Sequence, residues 1–305
     1  MAKFGIGQSV RRVEDPRLLT GGGRYTDDTK LAGPAARAYV LRSPHAHADI
    51  KGIDTSAAKK APGVLLVLTG EDVKKAGFGD LPCLVPIENR DGTQRAETPR
   101  PMLAQGRVRH VGDPVALVVA ETLEQAKDAS ELIEVDYASR PHTVGTFESA
   151  QSGAPLVHDH IKSNIVFDWE MGDRAGTDAA FAKADKVVKL QIVNNRLIVN
   201  SMETRGAIAE YDAKDDRSTL WVSSQGVSVI RPVLAEMVLK IGLAKLRLRT
   251  GDVGGGFGMK IFVHPEYPLV IWASRTLKRT VKWIPDRQEA FQSDVQGRDH
   301  VSIAE

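Results

Sequence analysis

The chain has 305 residues, and its 41 Lys and Arg side chains almost balance its 39 Asp and Glu side chains. This balance argues against nucleic acid or an anionic membrane surface as a partner, since both attract strong positive charge. Apolar residues make up 42% of the chain, which is typical of a globular protein, and the length predicts about two domains. The only cysteine, Cys83, excludes an internal disulfide and a zinc or iron–sulfur centre held by a cysteine cluster.

The N-terminal segment lacks the apolar run of a secretory signal peptide. No part of the chain approaches the roughly 18 consecutive apolar residues of a membrane-spanning helix. The sequence therefore predicts a soluble cytoplasmic protein that does not contact a membrane.

The N-terminal half combines an irregular arm with strand and helix signals. Residues 1–34 are rich in Gly, Arg and Asp, which predicts an ordered arm without regular structure. Thr122 and Gln125 form a capping-box pattern that opens a helix to about Leu132, between two strands of a β-α-β unit. Short apolar runs predict strands at residues 38–41, 64–68, 114–120 and 133–137.

A stretch rich in Pro and Gly at residues 138–165 separates two predicted domains, which are 1–145 and 146–305. In the second domain a helix is predicted from Pro265 to about Leu277. Apolar or alternating runs predict strands at residues 187–193, 207–211, 218–223, 245–249 and 281–284, and at the final VSIAE.

Residues 229–241 carry an apolar residue at every fourth position, which is typical of one face of a helix. Pro232 fits the first turn of such a helix, and Gly242 fits the position at which it would close. The repeating positions are Val229, Val233, Met237 and Ile241, and Leu234 and Val238 lie beside them on the predicted apolar face.

The sequence GGGFG at residues 254–258 follows a predicted strand. Its glycines would let backbone N–H groups approach a ligand, so a cofactor loop competes with a plain strand-to-helix turn. A nucleotide loop is disfavoured, because Lys260 follows the glycines without the Ser or Thr that a phosphate-binding loop requires. Phe257 either anchors this loop in the core or presents its ring to a flat substrate.

Several stretches of the chain, in the same order, resemble the large subunit of molybdenum hydroxylases. That group contains xanthine dehydrogenase, aldehyde oxidase and aerobic carbon monoxide dehydrogenase. The resemblance implies an α+β protein: an α/β hammerhead domain followed by the first part of a molybdopterin-binding α/β domain. The stretches are GQSVRRVEDPRLLTGGGRYTDD at 7–28, RSPHAHADI at 42–50, PGVLLVLTGEDV at 62–73, VGDPVALVVAET at 111–122, NRLIVNSMETRGAIAEYD at 195–212, WVSSQG at 221–226 and GGGFGMK at 254–260.

The resemblance also implies site residues. Gln225 matches a glutamine whose side-chain amide lies near an oxygen ligand of molybdenum in the family, although it could instead cap the following helix. Phe257 matches the phenylalanine beside the active centre, so Gln225 and Phe257 are the candidate catalytic residues. The candidate cofactor-binding residues are Gln225, Gly255, Gly256, Phe257 and Gly258.

Other polar residues are predicted to be structural. Glu203 and Arg205 are expected to pair near the site, and Arg287, Glu289 and Arg298 are expected in a surface and scaffold segment. The histidines are scattered, and the family holds molybdenum through its pterin, so no protein metal ligand is assigned. Ile261 stands where purine-oxidising relatives carry a glutamate, which argues against xanthine as the substrate.

By resemblance, the activity is oxidation of an aldehyde or N-heterocycle with water as the oxygen source. It would use molybdenum–molybdopterin, which could be the cytosine dinucleotide form, and partner subunits: an iron–sulfur small subunit with [2Fe–2S] clusters and a medium subunit with FAD. The family's glutamate base and second cofactor loop belong to a later part of the large subunit. The chain alone is therefore expected to be inactive without the remainder of that subunit. The alternative is a non-catalytic half-subunit or assembly module that docks the iron–sulfur and flavin partners.

Overall fold

The computed structural model describes Gly7 and residues 9–305, which form three β-sheets with helices packed around them. The strands are β1 (Ala36–Arg42), β2 (Ala48–Asp54), β3 (Val64–Thr69), β4 (Arg107–Val108), β5 (Pro114–Ala120), β6 (Glu134–Ser139), β7 (Leu190–Asn194), β8 (Ala207–Asp212), β9 (Arg217–Val222), β10 (Leu246–Arg249), β11 (Val281–Trp283) and β12 (His300–Ala304). The α-helices are α1 (Asp15–Leu19), α2 (Ser56–Lys60), α3 (Gly70–Ala76), α4 (Leu123–Glu131), α5 (Thr146–Ser149), α6 (Arg174–Ala182), α7 (Val227–Pro232), α8 (Glu266–Leu277) and α9 (Arg287–Ser293). Short 3₁₀ turns cover Thr26–Asp28, Leu243–Lys245 and Met259–Ile261.

The largest sheet has seven strands in the order β10-β9-β8-β11-β1-β5-β3. Two pairs in it, β1 with β11 and β9 with β10, are parallel, and the other pairs are antiparallel. The predicted strands at residues 38–41, 64–68 and 114–120 are confirmed as β1, β3 and β5. The predicted helix after Thr122 is confirmed with its capping box: Gln125 N donates to Thr122 Oγ1 over 3.2 Å, and Thr122 N donates to Gln125 Oε1 over 3.1 Å.

Strand β5 is buried along its whole length because helices cover both faces of the sheet. Leu117 and Val119 face the main core, which also receives α8 and α7. Ala116 and Val118 face a second cluster, to which α2 and α4 contribute. Two covered faces require apolar residues at odd and even positions alike, which explains the continuous run PVALVVA.

The predicted β-α-β unit does not lie in one sheet. Helix α4 leads from β5, in the seven-stranded sheet, to β6, which lies in a three-stranded sheet of order β4-β2-β6. The third sheet pairs β7 with β12, which confirms the strand predicted at VSIAE. Strand β7 begins at Leu190, three residues later than predicted.

The helix predicted over residues 229–241 is wrong in its details. Helix α7 (Val227–Pro232) continues as a π-helix (Val233–Val238), whose wider turns rotate the apolar face. Val229 and Met237 are therefore about half exposed, although predicted on the apolar face. Val233, Leu234 and Val238 are buried as predicted, and Ile230 is buried as well. Lys240 adopts a left-handed conformation near the end of the helix, so Gly242 is not its terminator.

The seven-stranded sheet takes strands from both sides of the boundary predicted at residue 145. Ala36 and Arg37 of β1 pair with Val281 and Lys282 of β11, and the main core spans both sides. No residue is buried in the stretch that connects the two sides, from residue 134 to residue 200. The division into 1–145 and 146–305 stays a prediction. Within the described part of the chain, no helix is long and apolar enough to cross a membrane.

Candidate functional site

The glycine-rich loop lies between β10 and the 3₁₀ turn Met259–Ile261. Gly255 and Gly258 have φ angles of +95° and +88°, which favour glycine. Phe257 also lies in the left-handed region, at φ +49°, which is uncommon for a bulky residue. The loop thus holds a backbone conformation that its surroundings must stabilise.

Gln225 lies directly against this loop. Gly258 N donates to Gln225 Oε1 over 2.9 Å, and Gln225 N donates to Lys260 O over 3.1 Å. A Cβ atom at Gly256 would lie 2.5 Å from Gln225 Cδ, so only glycine allows this approach. The structure therefore brings together Gln225 and the loop residues that the sequence singled out.

The alternative role of Gln225 as a helix cap is wrong. Helix α7 begins at Val227, and no side chain caps it. Ser224 Oγ, rather than Gln225, accepts a hydrogen bond from Gly226 N over 3.0 Å. The side-chain oxygen of Gln225 therefore accepts its hydrogen bond from the loop and does not cap helix α7.

Several N–H donors at the loop have no hydrogen-bond partner among the described residues. They are the backbone N–H groups of Gly255, Gly256 and Phe257 and the side-chain NH₂ of Gln225. All are neutral donors, and such groups suit an oxygen of a metal ligand or of a pterin without adding charge. The residues present thus fit a molybdenum–pterin group.

Phe257 is 78% exposed, so it does not anchor the loop in the core. Its ring lies beside Gly255, where a Cβ atom would be 2.8 Å from Phe257 Cε2. This exposure excludes the first of the two roles considered for this residue, and presentation of the ring to a flat substrate stays a prediction. Ile261, just beyond the loop, is also exposed.

Lys260 is fully buried and is not available to a phosphate. Its Nζ donates to Ser223 Oγ over 2.8 Å, to Glu203 O over 2.9 Å and to Glu203 Oε2 over 3.0 Å. These bonds use all three N–H groups of the ammonium, and burial lowers the pKa of Lys260. The buried position of Lys260 therefore agrees with the sequence pattern, which also disfavoured a phosphate-binding loop.

Glu203 is paired with Lys260 and not, as predicted, with Arg205. Burial alone would raise the pKa of Glu203, but hydrogen bonds from Ser223, Gly254 and Lys260 outweigh it and lower the pKa. Sequence reasoning missed this role. The available signal was Lys260, a charged residue between apolar neighbours in GMKIF, whereas the polar surroundings of Glu203 in SMETRG gave none.

Arg205 belongs to a separate, fully buried charge cluster. Its Nε donates to Asp294 Oδ1 over 2.6 Å and its Nη1 to Glu266 Oε2 over 2.8 Å. Arg42 donates to Glu266 and Glu289, each over 2.8 Å. Glu289 is only 7% exposed, so the surface part of its prediction is wrong, whereas its pairing with Arg42 agrees with the scaffold part. The buried carboxylate of Glu266 has a pKa far below its usual range, since Arg205 and Arg42 outweigh the effect of burial.

The histidines and the cysteine form no further site. His264 is fully buried, its Nε2 lies 3.1 Å from Met259 O, and burial holds its pKa well below the usual value. Cys83 is exposed and free. Across Gly7 and residues 9–305, no group of three or more His, Cys, Asp or Glu side chains is arranged to hold a metal ion.

Two family models match the chain. One, described as "Aldehyde oxidase and xanthine dehydrogenase, a/b hammerhead domain", covers residues 20–141, and the other, "Molybdopterin cofactor-binding domain", covers residues 157–305. They confirm the predicted fold class of a hammerhead domain followed by a molybdopterin-binding domain.

Individual relatives agree with these models. The carbon monoxide dehydrogenase large chain of Afipia carboxidovorans is 38% identical over 97% of this chain and 36% of its own length. The nicotine 6-hydroxylase large subunit of Paenarthrobacter nicotinovorans is 38% identical over 93% of this chain and 34% of its own length. The crystal structure of quinoline 2-oxidoreductase from Pseudomonas putida 86 superimposes with a TM-score of 0.84 at 40% identity, covering 94% of this chain and 35% of that one. The chain thus spans about a third of the length of these relatives.

Proposed function

Because this chain belongs to the molybdenum-binding large-subunit family of xanthine dehydrogenase, aldehyde oxidase and carbon monoxide dehydrogenase, we propose that it forms part of a molybdenum hydroxylase. The enzyme would oxidise an aldehyde or an N-heterocycle, with water as the source of oxygen. The observation that carries this proposal is the set of neutral N–H donors that Gln225 and residues 255–257 present at one loop.

A bound molybdenum–pterin cofactor would supply the redox chemistry, and the protein would position and tune it. Gly255, Gly256 and Gly258 would let the backbone approach that cofactor, and its cytosine dinucleotide form is compatible with the proposal. Gln225 would donate its side-chain N–H to an oxygen ligand, with its own oxygen fixed by Gly258 N. Phe257 would place its exposed ring beside the substrate.

The proposed substrate class draws on both relatives and residues. Relatives include a nicotine 6-hydroxylase large subunit, a quinoline 2-oxidoreductase and an aldehyde oxidoreductase molybdenum-binding subunit from Escherichia coli. The apolar, exposed side chain of Ile261 can pack against an aldehyde or an aromatic heterocycle but cannot accept a hydrogen bond from a purine.

Turnover would require further polypeptide. Relatives of this chain are named as large chains or complex subunits, which supports an assembly with an iron–sulfur subunit and a FAD subunit that carry electrons away. The chain spans about a third of these relatives. We therefore propose that the remainder of a large subunit completes the site, and that this chain alone does not turn over.

The test is to assemble the chain with the remainder of the large subunit and both partner subunits, and to measure molybdenum content and turnover. An aldehyde or an N-heterocycle should be oxidised. Gln225→Ala should lower kcat by about 10²–10³, since a lost preorganised donor at a reacting centre has this effect. Gln151→Ala, which removes an exposed glutamine far along the chain from the loop, is the matched control.

Three outcomes would contradict the proposal. If the assembly takes up no molybdenum, the cofactor assignment is wrong. If the assembly oxidises carbon monoxide but no aldehyde and no N-heterocycle, only the proposed substrate class is wrong. Full turnover by Gln225→Ala with normal molybdenum content would remove Gln225 from the active centre.

A further inference from the structure

One carboxylate joins four segments of the chain around the glycine-rich loop. Glu203 Oε2 accepts hydrogen bonds from Ser223 Oγ over 2.6 Å, Gly254 N over 2.8 Å and Lys260 Nζ over 3.0 Å. Its Oε1 accepts from Thr26 N over 3.2 Å. The end of β9, the loop, the turn after it and the N-terminal arm therefore meet at Glu203.

The backbone of Glu203 strengthens the same junction. Glu203 N donates to Gly254 O over 3.0 Å, and Lys260 Nζ donates to Glu203 O over 2.9 Å. A Cβ atom at Gly254 would lie 2.5 Å from Glu203 Cβ, so the two backbones are in close contact. The first residue of the loop is consequently fixed from both its N–H and its C=O.

The ion pair between Glu203 and Lys260 is largely shielded from water, with side-chain exposures of 15% and 0%. A buried ammonium without a counter-charge is strongly unfavourable, so each partner depends on the other. Lys260 in turn fixes Gln225, whose backbone N–H donates to Lys260 O over 3.1 Å. A change at Glu203 would thus reach both the loop and Gln225.

We propose that Glu203 is a positioning residue that, with Lys260, holds the loop and Gln225 in the conformation that presents their N–H donors. This inference rests on the proposed function, because the donors matter only if the loop binds a cofactor. Glu203 does not act as a base, since its two oxygens already accept four hydrogen bonds.

The first test measures amide hydrogen exchange in the full chain at Gly254, Gly258 and Met259, the loop residues whose N–H groups donate hydrogen bonds. Glu203→Gln keeps the shape of the side chain but removes the charge that Lys260 requires, so exchange there should become about tenfold faster or more. Exchange in β5 and β8 should not change. The control is Glu210→Gln on β8, away from the loop, where Trp221 Nε1 over 2.9 Å is the only donor to the carboxylate among the described residues.

A second variant guards against a general loss of stability. In Glu203→Gln/Lys260→Met neither position carries a charge, so no ammonium is left buried without its partner, and the double variant should exchange more slowly at the loop than Glu203→Gln alone. The proposed role of the ion pair would be overturned if Glu203→Gln had wild-type amide exchange at the loop. It would also be overturned if the double variant exchanged there as fast as Glu203→Gln.

The positioning role is tested in the assembled enzyme. Glu203→Gln should lower molybdenum content, and kcat per bound molybdenum should fall by about tenfold while KM changes less than about twofold. A looser loop with normal molybdenum content and normal kcat would show that Glu203 is only structural. If wild type itself takes up no molybdenum, the proposed function fails, while the exchange comparison still decides whether Glu203 clamps the loop.

Discussion

At Phe257 the backbone and the side chain have separate roles. Its left-handed φ of +49° costs a non-glycine residue roughly 1–2 kcal/mol. The exposed ring gains too little packing to offset that cost. The neighbouring hydrogen bonds, Gly258 N to Gln225 Oε1 over 2.9 Å and Met259 N to Gly256 O over 2.9 Å, hold the conformation instead. Strain retained in this way is common at functional sites.

Phe257→Ala is therefore expected to change the free energy of unfolding by no more than about 0.5 kcal/mol, as for an ordinary surface substitution. In the assembled enzyme, the same variant should raise KM for a flat aromatic substrate, because the ring no longer contacts it. Urea denaturation and steady-state kinetics would measure the two effects.

The matched control is Phe78→Ala, which removes a partly buried ring that packs against the main core and lies edge-on to Trp272, with the ring centroids 5.0 Å apart. That change should cost about 2 kcal/mol or more. A comparable loss of stability in Phe257→Ala would mean that its ring is packed in solution.

At the scale of elements, hydrogen bonds to Asp252 attach the N-terminal arm to the chain just before the loop. Asp252 accepts two hydrogen bonds from Arg17, both at 2.6 Å, and a third from Arg24 N at 2.6 Å. In the described part of the arm, residues 9–34, three apolar side chains are more than four-fifths exposed: Val10, Val13 and Leu19. The hydrogen bonds from Arg17 and Arg24 lower the pKa of Asp252 to about 2.

A lowered carboxylate pKa gives stabilisation that is present above the usual value of 3.8 and is lost as the pH falls through about 2. Amide exchange at Arg24, corrected for its intrinsic pH dependence, should therefore accelerate over that interval. In Asp252→Asn, amide exchange at Arg24 should already be fast at neutral pH. It should not accelerate further between pH 3.8 and about 2.

Asp28→Asn is the control for this titration, because Asp28 accepts from Tyr25 N within the arm and does not contact the loop. An Asp252→Asn protein with wild-type protection and the wild-type pH profile would show that the arm is held by other contacts.

At the scale of the whole molecule, the two predicted domains share a sheet, a core and a buried charge cluster. Strands β1 and β11 pair across the predicted boundary, and Arg42 of β1 contacts Glu266 and Glu289 in the second half of the sequence. Breaking one member of such a buried cluster would leave its partners without compensation. The two halves therefore stabilise each other, while the stretch between 134 and 200 contributes no buried residue.

Limited proteolysis should thus cut first between residues 141 and 189, where side chains are exposed. Under native conditions the two products should remain together on gel filtration, because the sheet and core join them, and should separate in urea. Separation without denaturant, or a first cut between β5 and β6, would contradict a shared fold.

Strong local signals in the sequence were sufficient for β3, β5 and the capped start of α4. Strand β2 was missed because a register shift between Ile50 and Gly52 breaks its alternation. The π-helical turns similarly changed which side chains of residues 227–238 are buried, so the buried face no longer follows the apolar residues at every fourth position. Such irregularities are stabilised by tertiary packing, which no local window contains.

By itself the sequence determined many of the strands and helices and the position of the glycine-rich loop, because apolar periodicity, capping and glycine spacing lie in neighbouring residues. The fold class and the family followed from the resemblance of its motifs to a known family. Only the tertiary structure decided that Lys260 pairs with Glu203, that Phe257 is exposed, and that both halves build one sheet. Those outcomes depend on contacts between residues far apart in the chain. Their energies come from burial and charge pairing, which exist only once the chain has folded.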